Sequence, residues 1–510
     1  MQATIYSATT IGINAKEVVV EVDISLGIIN FFIVGLPDAA IKESRQRVLT
    51  ALKNCGIRLP NKKITVNLAP ADLKKEGTLF DVPIALAILQ ALEVITIPEE
   101  FRRDTIVLGE LSLDGSIRSV KGVLPIAHDA CYKLGKKRII VPKENAHEAS
   151  LASESIVIGI SHLTELMQFV QGQITIEPTQ TTWAPASEAN AIDFSQIKGQ
   201  LQAKRALQIA AAGYHNVLFI GSPGSGKTML AQRLATIMPP LTITEAIQTT
   251  KIYSVAGKLD QQLIARRPFR SPHHTTSEAG LIGGGTFPQP GEVSLAHHGV
   301  LFLDELTEFR RPVIESLRQP LETQTVTIAR AQQTVTFPAS FLLVAALNPC
   351  PCGYWGQKKR ACTCTTVEIQ RYLSKLSGPL LDRIDLQVYV PAVDYEVIKD
   401  RTANASSREL YNAVDGAAKI QKTRFSEHRF NGTMAADEIE KFCQLSSAAE
   451  QAIKLAFDKL AMSMRGYHKV LKIARTIADL AQSELIELIH MHEAISYRSL
   501  DQTLQDATKK

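Results

Sequence analysis

The sequence predicts a multidomain α/β protein: a P-loop α/β region at its centre, an α/β or α+β region before it and a helical region after it. Three observations carry this expectation. Short apolar strands alternate with helical segments over residues 1–172. A glycine-rich loop, Gly221–Thr228, sits between a strand pattern and a helix pattern. Residues 393–510 keep a helical period without a convincing strand. At 510 residues the chain has room for about two to four domains. With 45% hydrophobic and 21% charged residues, large cores can be buried.

In residues 1–172 the strand candidates are Glu17–Val22, Ile64–Leu68, Ile106–Leu108 and Arg138–Val141. The helical candidates are Asp38–Asn54, Asp81–Leu92 and Val123–Leu134. Residues 173–195 are rich in Thr, Pro, Ala and Ser, lack periodicity and read as a linker. Residues 196–392 carry the nucleotide motifs on a βα pattern. Residues 393–510 offer helices at Ser407–Lys422, Ala436–Cys443, Ala448–Ala461, Tyr467–Ala481 and Glu484–Tyr497.

The central motif reads Gly221-Ser222-Pro223-Gly224-Ser225-Gly226-Lys227-Thr228, between apolar Val217–Ile220 and helical Met229–Ile237. This is the strand–loop–helix context that a phosphate-binding loop needs. Backbone N–H groups of such a loop wrap phosphate oxygens, and the helix start adds positive potential. Lys227 would reach the β- and γ-phosphates of a nucleoside triphosphate, and Thr228 would ligate Mg²⁺. A second apolar run, Val300–Leu303, ends in two carboxylates. Asp304 suits the Mg²⁺ shell, and Glu305 suits polarising an attacking water. A third run, Phe341–Leu347, ends in Asn348-Pro349. Between these runs, Val326–Phe337 alternates on both sides of a polar centre and predicts a β-hairpin.

A polar residue ending the strand beside an Asp-Glu strand resembles the sensor 1 position of AAA+ ATPases. That gives Asn348 the attacking water or the γ-phosphate to hold. A hairpin before sensor 1 marks one clade of AAA+ proteins. Ser377–Leu386 resembles the segment that presents an arginine finger, which implies that Arg383 contacts nucleotide on a neighbouring subunit. Ser463–Arg475 resembles a sensor 2 helix, with Arg465 the first choice of sensor arginine and Arg475 the alternative; a surface ion pair is the plain reading of either. The segments Arg267–Ser277 and Leu281–His298, taken with Leu301–Glu305, resemble the magnesium-chelatase-like AAA+ proteins. Essentially end to end, the chain resembles the YifB/ComM family within that group. The resemblance implies an ATP-hydrolysing ring, a homo-hexamer, with helicase activity promoting branch migration of DNA during natural transformation. It also implies a pore lined by the insertion between the P-loop helix and the Asp-Glu strand. Gly283–Gly285 would supply mobility there. The pairs His273/His274 and His297/His298 read as structural or pore-lining, since adjacent histidines rarely face one ion.

Seven cysteines, an odd number, fit a reducing compartment. Four of them form Cys350-Pro-Cys352 and Cys362-Thr-Cys364. Four soft ligands so close together suit tetrahedral Zn²⁺. A reduced or redox-sensitive thiol loop is the alternative. Their place directly after Asn348 points to a structural clip near the nucleotide site.

Residues 1–172 resemble the Lon-protease catalytic fold, also called ribosomal S5 domain 2-like, most clearly in Gly109–Gly115 and Ile139–Asn145. Lon-type proteolysis needs a serine activated by a lysine. Leu79 stands at the expected nucleophile position, with Thr78 the only hydroxyl nearby. The lysine segment, Lys121–Ile126, is apolar where that lysine belongs. No peptidase activity is expected; DNA binding or ring organisation is the expected role. Lys62, Lys63, Lys74 and Lys75 are candidate phosphate contacts, with a solvated charged face as the alternative for each.

The net charge of +5 permits nucleic-acid contact without demanding it. No apolar run reaches the eighteen or so residues of a membrane span, and no secretory signal is visible at the start, so a cytoplasmic protein is expected. The leading partner is duplex or branched DNA, bound by its backbone, tolerant of sequence and sensitive to salt. The alternative is a chelatase-type or protein-remodelling ATPase that does not act on DNA.

Overall fold

The computed structural model describes residues 1–498 except 28–29, 61, 74, 76, 182–191, 260–262, 286–287, 331–332, 358–359, 394–404, 427–428 and 461, and of residue 333 only the backbone. Contacts divide the chain into two compact units. One is Met1–Ala184 with Thr242–Ala265; the other is Pro185–Leu241 with Arg266–Lys510.

In the first unit, strands Gln2–Ile11, Asn14–Ser25, Lys63–Ala69 and Asn30–Val34 form one sheet in that order. The first three run antiparallel, and Asn30–Val34 joins Lys63–Ala69 in parallel. Alternation sets the faces: Val18, Val20, Val22 and Ile24 are buried while Glu21 is exposed. The helix Asp81–Ala91 packs on the first two strands. Its sequence is apolar on every side, and all but Gln90 of its residues are buried. At its start Asp81 is held by Arg47 (Nε to Oδ2, 2.6 Å) and by the Ser44 hydroxyl. A second, parallel sheet joins Thr105–Val107, Arg138–Pro142 and Ile156–Ile160. Leu79 is buried, and the neighbouring Thr78 hydroxyl donates to Glu110.

Three sequence expectations change, two of them in this unit. Thr242–Ala265, read as part of the 196–392 region, folds with the N-terminal unit. Its helix, Ile243–Val255, starts with a Thr242–Glu245 capping box. Its buried face is polar: Lys251 Nζ lies 3.2 Å from Asp129 Oδ1, and Ser254 donates to Glu148 Oε1 at 2.6 Å. Lys75, read as a candidate phosphate contact, is fully buried, its ammonium on the carbonyls of Gly35 and Pro70; burial pushes its pKa down. Lys74 lies outside the described residues. The linker also ends earlier than residue 195. Asp193 accepts from Ser195 N and Ser407 N, and Phe194 is fully buried in the second unit.

The second unit is built on a five-stranded parallel sheet in the order Phe269–Arg270, Val300–Leu303, Leu342–Leu347, Val217–Ile220, Leu386–Tyr389. The central three strands are apolar runs buried on both faces, as parallel strands covered by helices must be. The hairpin pairs Thr325–Arg330 with Gln333–Pro338. The C-terminal helices Ser407–Phe425, Ala436–Phe442, Ser447–Lys459, Met464–Leu480 and Leu488–Ser496 share one hydrophobic core with the sheet. Ser406, Ser446 and Ser463 cap three of them by accepting backbone N–H bonds.

Among these helices, Asp479 is fully buried and accepts from Arg424 (2.6 and 2.7 Å), Asn431 (2.7 Å) and Arg475 (3.0 Å). Asp479→Ala leaves two largely buried guanidinium groups without their carboxylate. Breaking such a pair costs about 3–5 kcal/mol. The expected result is a lower urea midpoint for loss of helical circular dichroism; an unchanged midpoint would show that this cluster does not brace the helices.

Candidate functional site

Parallel register brings three strand ends to one edge. Ile220 pairs with Leu347 and Leu303 with Ala345, so Gly221, Asp304 and Asn348 all leave the sheet on the same side. Gly221 N donates to Leu347 O at 3.1 Å, fastening the loop to the strand that ends at Asn348. A crevice beyond the carboxyl ends of parallel strands is where open α/β sheets bind ligands. Gly226 has φ +90°, a backbone conformation that favours glycine, and it delivers Lys227 as the first residue of helix Lys227–Leu234.

Lys227 Nζ donates to Gly221 O (2.7 Å), Ser222 O (3.0 Å) and Asn348 Oδ1 (3.2 Å). Burial pushes its pKa down, opposed by the charges of Asp304 and Glu305. Thr228 Oγ1 donates to Asp304 Oδ2 at 2.7 Å, and Asp304 Oδ1 accepts from Glu305 N at 3.0 Å. The structure therefore gathers Lys227, Thr228, Asp304, Glu305 and Asn348 around Gly221–Gly226. The donor set fits a magnesium–nucleotide. An ammonium and backbone N–H groups meet phosphate, and a hydroxyl and a carboxylate suit the hard Mg²⁺ ion. The hydroxyls of Ser222 and Ser225 are buried without a hydrogen-bond partner among the described residues. Such orphaned groups fit a loop whose polar partner is a ligand.

Glu305 has φ +51°, unusual for a residue other than glycine. His274 Nδ1 stands 3.6 Å from its Oε2. That contact places His274 beside the carboxylate pair, which adjacent-histidine reasoning missed. His297 is structural: its Nδ1 accepts from Ser340 N at 3.0 Å, tying the starts of two sheet strands.

Arg383 and Arg465 stand elsewhere. Both donate to Glu322, Arg465 at 2.9 Å. They line a cavity of about 510 Å³ that Lys469 and Lys472 also face. Arg383 is fixed from the opposite end of the sheet. Asn216, the residue before the P-loop strand, donates to Arg383 O (3.1 Å), and its own N–H donates to Asp385 Oδ2 (2.9 Å). The four residues of Val217–Ile220, about 13 Å of strand, lie between that bracket and the phosphate loop. Neither Glu322 nor Asn216 carries a sequence signal that marks this role. Arg475, the alternative sensor arginine, is spent inside the C-terminal helices on Asp479 and the carbonyls of Ser483 and Glu484.

Burial of Asp385 pushes its carboxyl up, but Lys469 (Nζ to Oδ1, 2.8 Å) and His215 outweigh this and hold it well below the usual carboxylate range. A depressed folded-state pKa gives stability that is complete above the unfolded value, about 3.9. That stability drains away as pH falls from there toward the folded value. Asp385→Asn is expected to be less stable at neutral pH and to lose less stability than wild type on acidification below about pH 4. Urea midpoints measured across pH 3–7 check it; parallel curves for the two proteins would refute it.

The four cysteines converge: the Sγ atoms of Cys350, Cys352, Cys362 and Cys364 all lie within 4.8 Å of one another. Among the described residues this is the only group of three or more metal-binding side chains so gathered. Tetrahedral Zn–S bonds of about 2.3 Å put sulfurs about 3.8 Å apart. Cys350 to Cys352, Cys352 to Cys362 and Cys350 to Cys362 are 3.3, 3.5 and 3.6 Å. Backbone N–H groups of Trp355, Cys352 and Cys364 point at the sulfurs of Cys350, Cys364 and Cys362, which suits thiolate ligands.

No helix among the described residues is long and apolar enough to cross a membrane. The family described as magnesium chelatase, subunit ChlI, matches residues 193–398. Related descriptions match on either side: subunit ChlI of Mg-chelatase over 20–145, and the ChlI C-terminal region over 404–498. Competence protein ComM of Haemophilus influenzae is 42% identical over 510 residues, covering 99% of this chain and 98% of that protein. YifB of Escherichia coli is 42% identical over 503 residues, covering 98% and 97%. The magnesium-chelatase 67 kDa subunit of Chlorobaculum tepidum is 24% identical over 309 residues, covering 58% and 41%. With its sheet, its Gly221–Thr228 loop and this full-length identity, the chain belongs to the YifB/ComM family of magnesium-chelatase-like AAA+ proteins.

Proposed function

We propose that the protein is an ATP-hydrolysing motor that works as a homo-hexameric ring on DNA, a helicase promoting branch migration of recombination intermediates during natural transformation. The observation that carries the ATPase reading is the convergence of Lys227, Thr228, Asp304 and Asn348 at one sheet edge. In this reading Lys227 binds the β- and γ-phosphates and Thr228 and Asp304 hold Mg²⁺. Glu305 orients the attacking water, and Asn348 senses the γ-phosphate. Arg383 and Arg465 sit away from their own loop, beside a cavity with two lysines. That position supports action on nucleotide held by the next copy in a ring. Zn²⁺ is the metal we assign to the four cysteines. The role on DNA is supported by full-length identity to a protein named for competence.

The similarity to magnesium-chelatase subunits favours a second reading, a remodelling motor acting on a protein partner. Steady-state ATP hydrolysis separates the two, measured with and without a synthetic four-way DNA junction at low and moderate salt. Stimulation by the junction that fades with salt supports the DNA motor, because backbone binding releases counterions. Robust hydrolysis indifferent to DNA moves the reading to a protein substrate.

A further inference from the structure

We propose that the metal held by Cys350, Cys352, Cys362 and Cys364 sets the shape of the nucleotide site, by pinning the segment after Asn348 against the phosphate loop. The inference rests on the ATP reading of that loop.

Three contacts carry it. The first is Gly353, one residue past Cys352. Its φ is +82°, and a Cβ there would lie 2.6 and 2.9 Å from Cδ and Cγ of Pro223. Gly353 is therefore packed directly on the phosphate loop, closer than any side chain allows. The second is Asn348, two residues before Cys350, whose Oδ1 accepts from Lys227 Nζ at 3.2 Å. The third comes through the helix Thr366–Leu373, which begins two residues after Cys364 behind a Thr365–Glu368 capping box. Its Tyr372 hydroxyl accepts from Thr307 Oγ1 at 2.5 Å, and Lys375 Nζ donates to Thr307 O at 3.0 Å. Thr307 lies just past Asp304 and Glu305. The insertion thus touches the phosphate loop through Gly353, while the residues that flank it, Asn348 before and Tyr372 and Lys375 after, reach Lys227 and the turn after the carboxylate pair.

Among the described residues, the sulfurs make most of the closure of this insertion. Gly353 N to Cys350 O and Gln357 N to Tyr354 O are turn bonds within its first half. Among the described residues, the link from the Cys350–Cys352 end to the Cys362–Cys364 end consists of the sulfur contacts, the Cys352 N–H on Cys364 Sγ, and one exposed pair, Arg360, which donates to the Tyr354 hydroxyl at 2.8 Å and lies over its ring. Four thiols brought this close repel one another once ionised. The four thiolates would hold a divalent cation in place of their protons, which pass to solvent, and its charge would offset that repulsion and hold the loop closed. With the metal gone, only the exposed Arg360–Tyr354 contact still ties the first half of the insertion to the second, a weak hold that lets Gly353 shift from Pro223.

The test uses the full-length protein purified under reducing conditions, with two readouts: zinc per chain by elemental analysis, and ATP affinity by titration with a fluorescent ATP analogue. Two variants are compared with wild type. Cys364→Ser removes a ligand. Gly353→Ala keeps all four thiols but places a methyl group where Pro223 stands. We expect about one zinc per chain in wild type, the count for a tetrahedral four-thiolate site. Cys364→Ser should lose the zinc, and its ATP affinity should fall about tenfold or more, as small misplacements in a nucleotide site do. Gly353→Ala should keep its zinc and still lose ATP affinity by a similar factor, an outcome that misfolding at the metal site does not produce. Wild type that neither carries zinc nor takes up added Zn²⁺ overturns the proposal. So does Cys364→Ser that sheds zinc yet binds ATP normally, or Gly353→Ala with unchanged ATP affinity. Wild type that holds zinc but binds no ATP overturns the nucleotide reading and the coupling with it, and leaves the metal centre standing.

Discussion

Lys227→Ala is expected to lower kcat for ATP hydrolysis by about 10²–10³-fold or more, the usual loss when a charge-stabilising donor is removed from a closed site. That range corresponds to about 2.7–4 kcal/mol of transition-state stabilisation. Lys227 is already held in place by Gly221 O, Ser222 O and Asn348 Oδ1. Its ammonium therefore needs only a short move to meet phosphate oxygens. Burial lowers its pKa against the opposing charges of Asp304 and Glu305, and phosphate oxygens would favour its charged form further. Alanine removes this charge and leaves Asn348 Oδ1 without a donor it now has. The fold should survive, because the lysine's present partners are loop carbonyls and one side chain at the sheet edge, not core groups. The check is a turnover assay on protein whose circular dichroism matches wild type. Turnover within a few-fold of wild type would sink the assignment of this loop as the ATP site.

The parts of the site that could be read in the sequence are those with local causes. Gly221–Thr228 announces itself because glycines, a lysine and a hydroxyl must follow one another directly for a loop to hold phosphate. Asp304, Glu305 and Asn348 were legible because each ends an apolar run, and parallel strands bring such ends to one edge. The four cysteines were legible by spacing. What stayed hidden depends on contacts between distant segments. Glu322, which joins Arg383 to Arg465, is an ordinary exposed glutamate in sequence. Asn216 acts through its neighbours: it accepts from Leu343 N and donates to Arg383 O. Thr242–Ala265 gave no hint of folding with the N-terminal unit, because its helix docks through polar groups, Lys251 on Asp129 and Ser254 on Glu148. An apolar stripe would have been visible as a period; an ion pair and a hydroxyl are not. Lys75 misled for the same reason, a charged residue buried on two carbonyls.

Arg383→Ala is expected to lower kcat by about 10³-fold or more, as loss of an arginine finger does, while leaving ATP affinity near wild type. The split follows from position. Arg383 is bracketed by Asn216 at the end of the sheet opposite the phosphate loop, so it does not hold the nucleotide of its own chain. It is largely buried, shares Glu322 with Arg465 and opens on a cavity where these two arginines, Lys469 and Lys472 face two carboxylates, Glu322 and Asp385, an excess of positive charge suited to a triphosphate presented from outside. The proposed head-to-tail ring would present one, with each copy's loop meeting the next copy's arginines. This makes mixing decisive. Lys227→Ala supplies intact arginines and a dead loop, and Arg383→Ala supplies an intact loop and no finger. Each is inactive alone. Co-expressed in equal amounts and assembled at random, one half times one half, about a quarter, of the head-to-tail interfaces pair an intact loop with an intact Arg383. Hydrolysis should therefore reappear in the mixture at a sizeable fraction of the wild-type rate. If it does not, although both variants are present in the same particles, Arg383 does not serve a neighbour's nucleotide. A finger acting within its own chain would give no rescue, since neither parent contains a complete set.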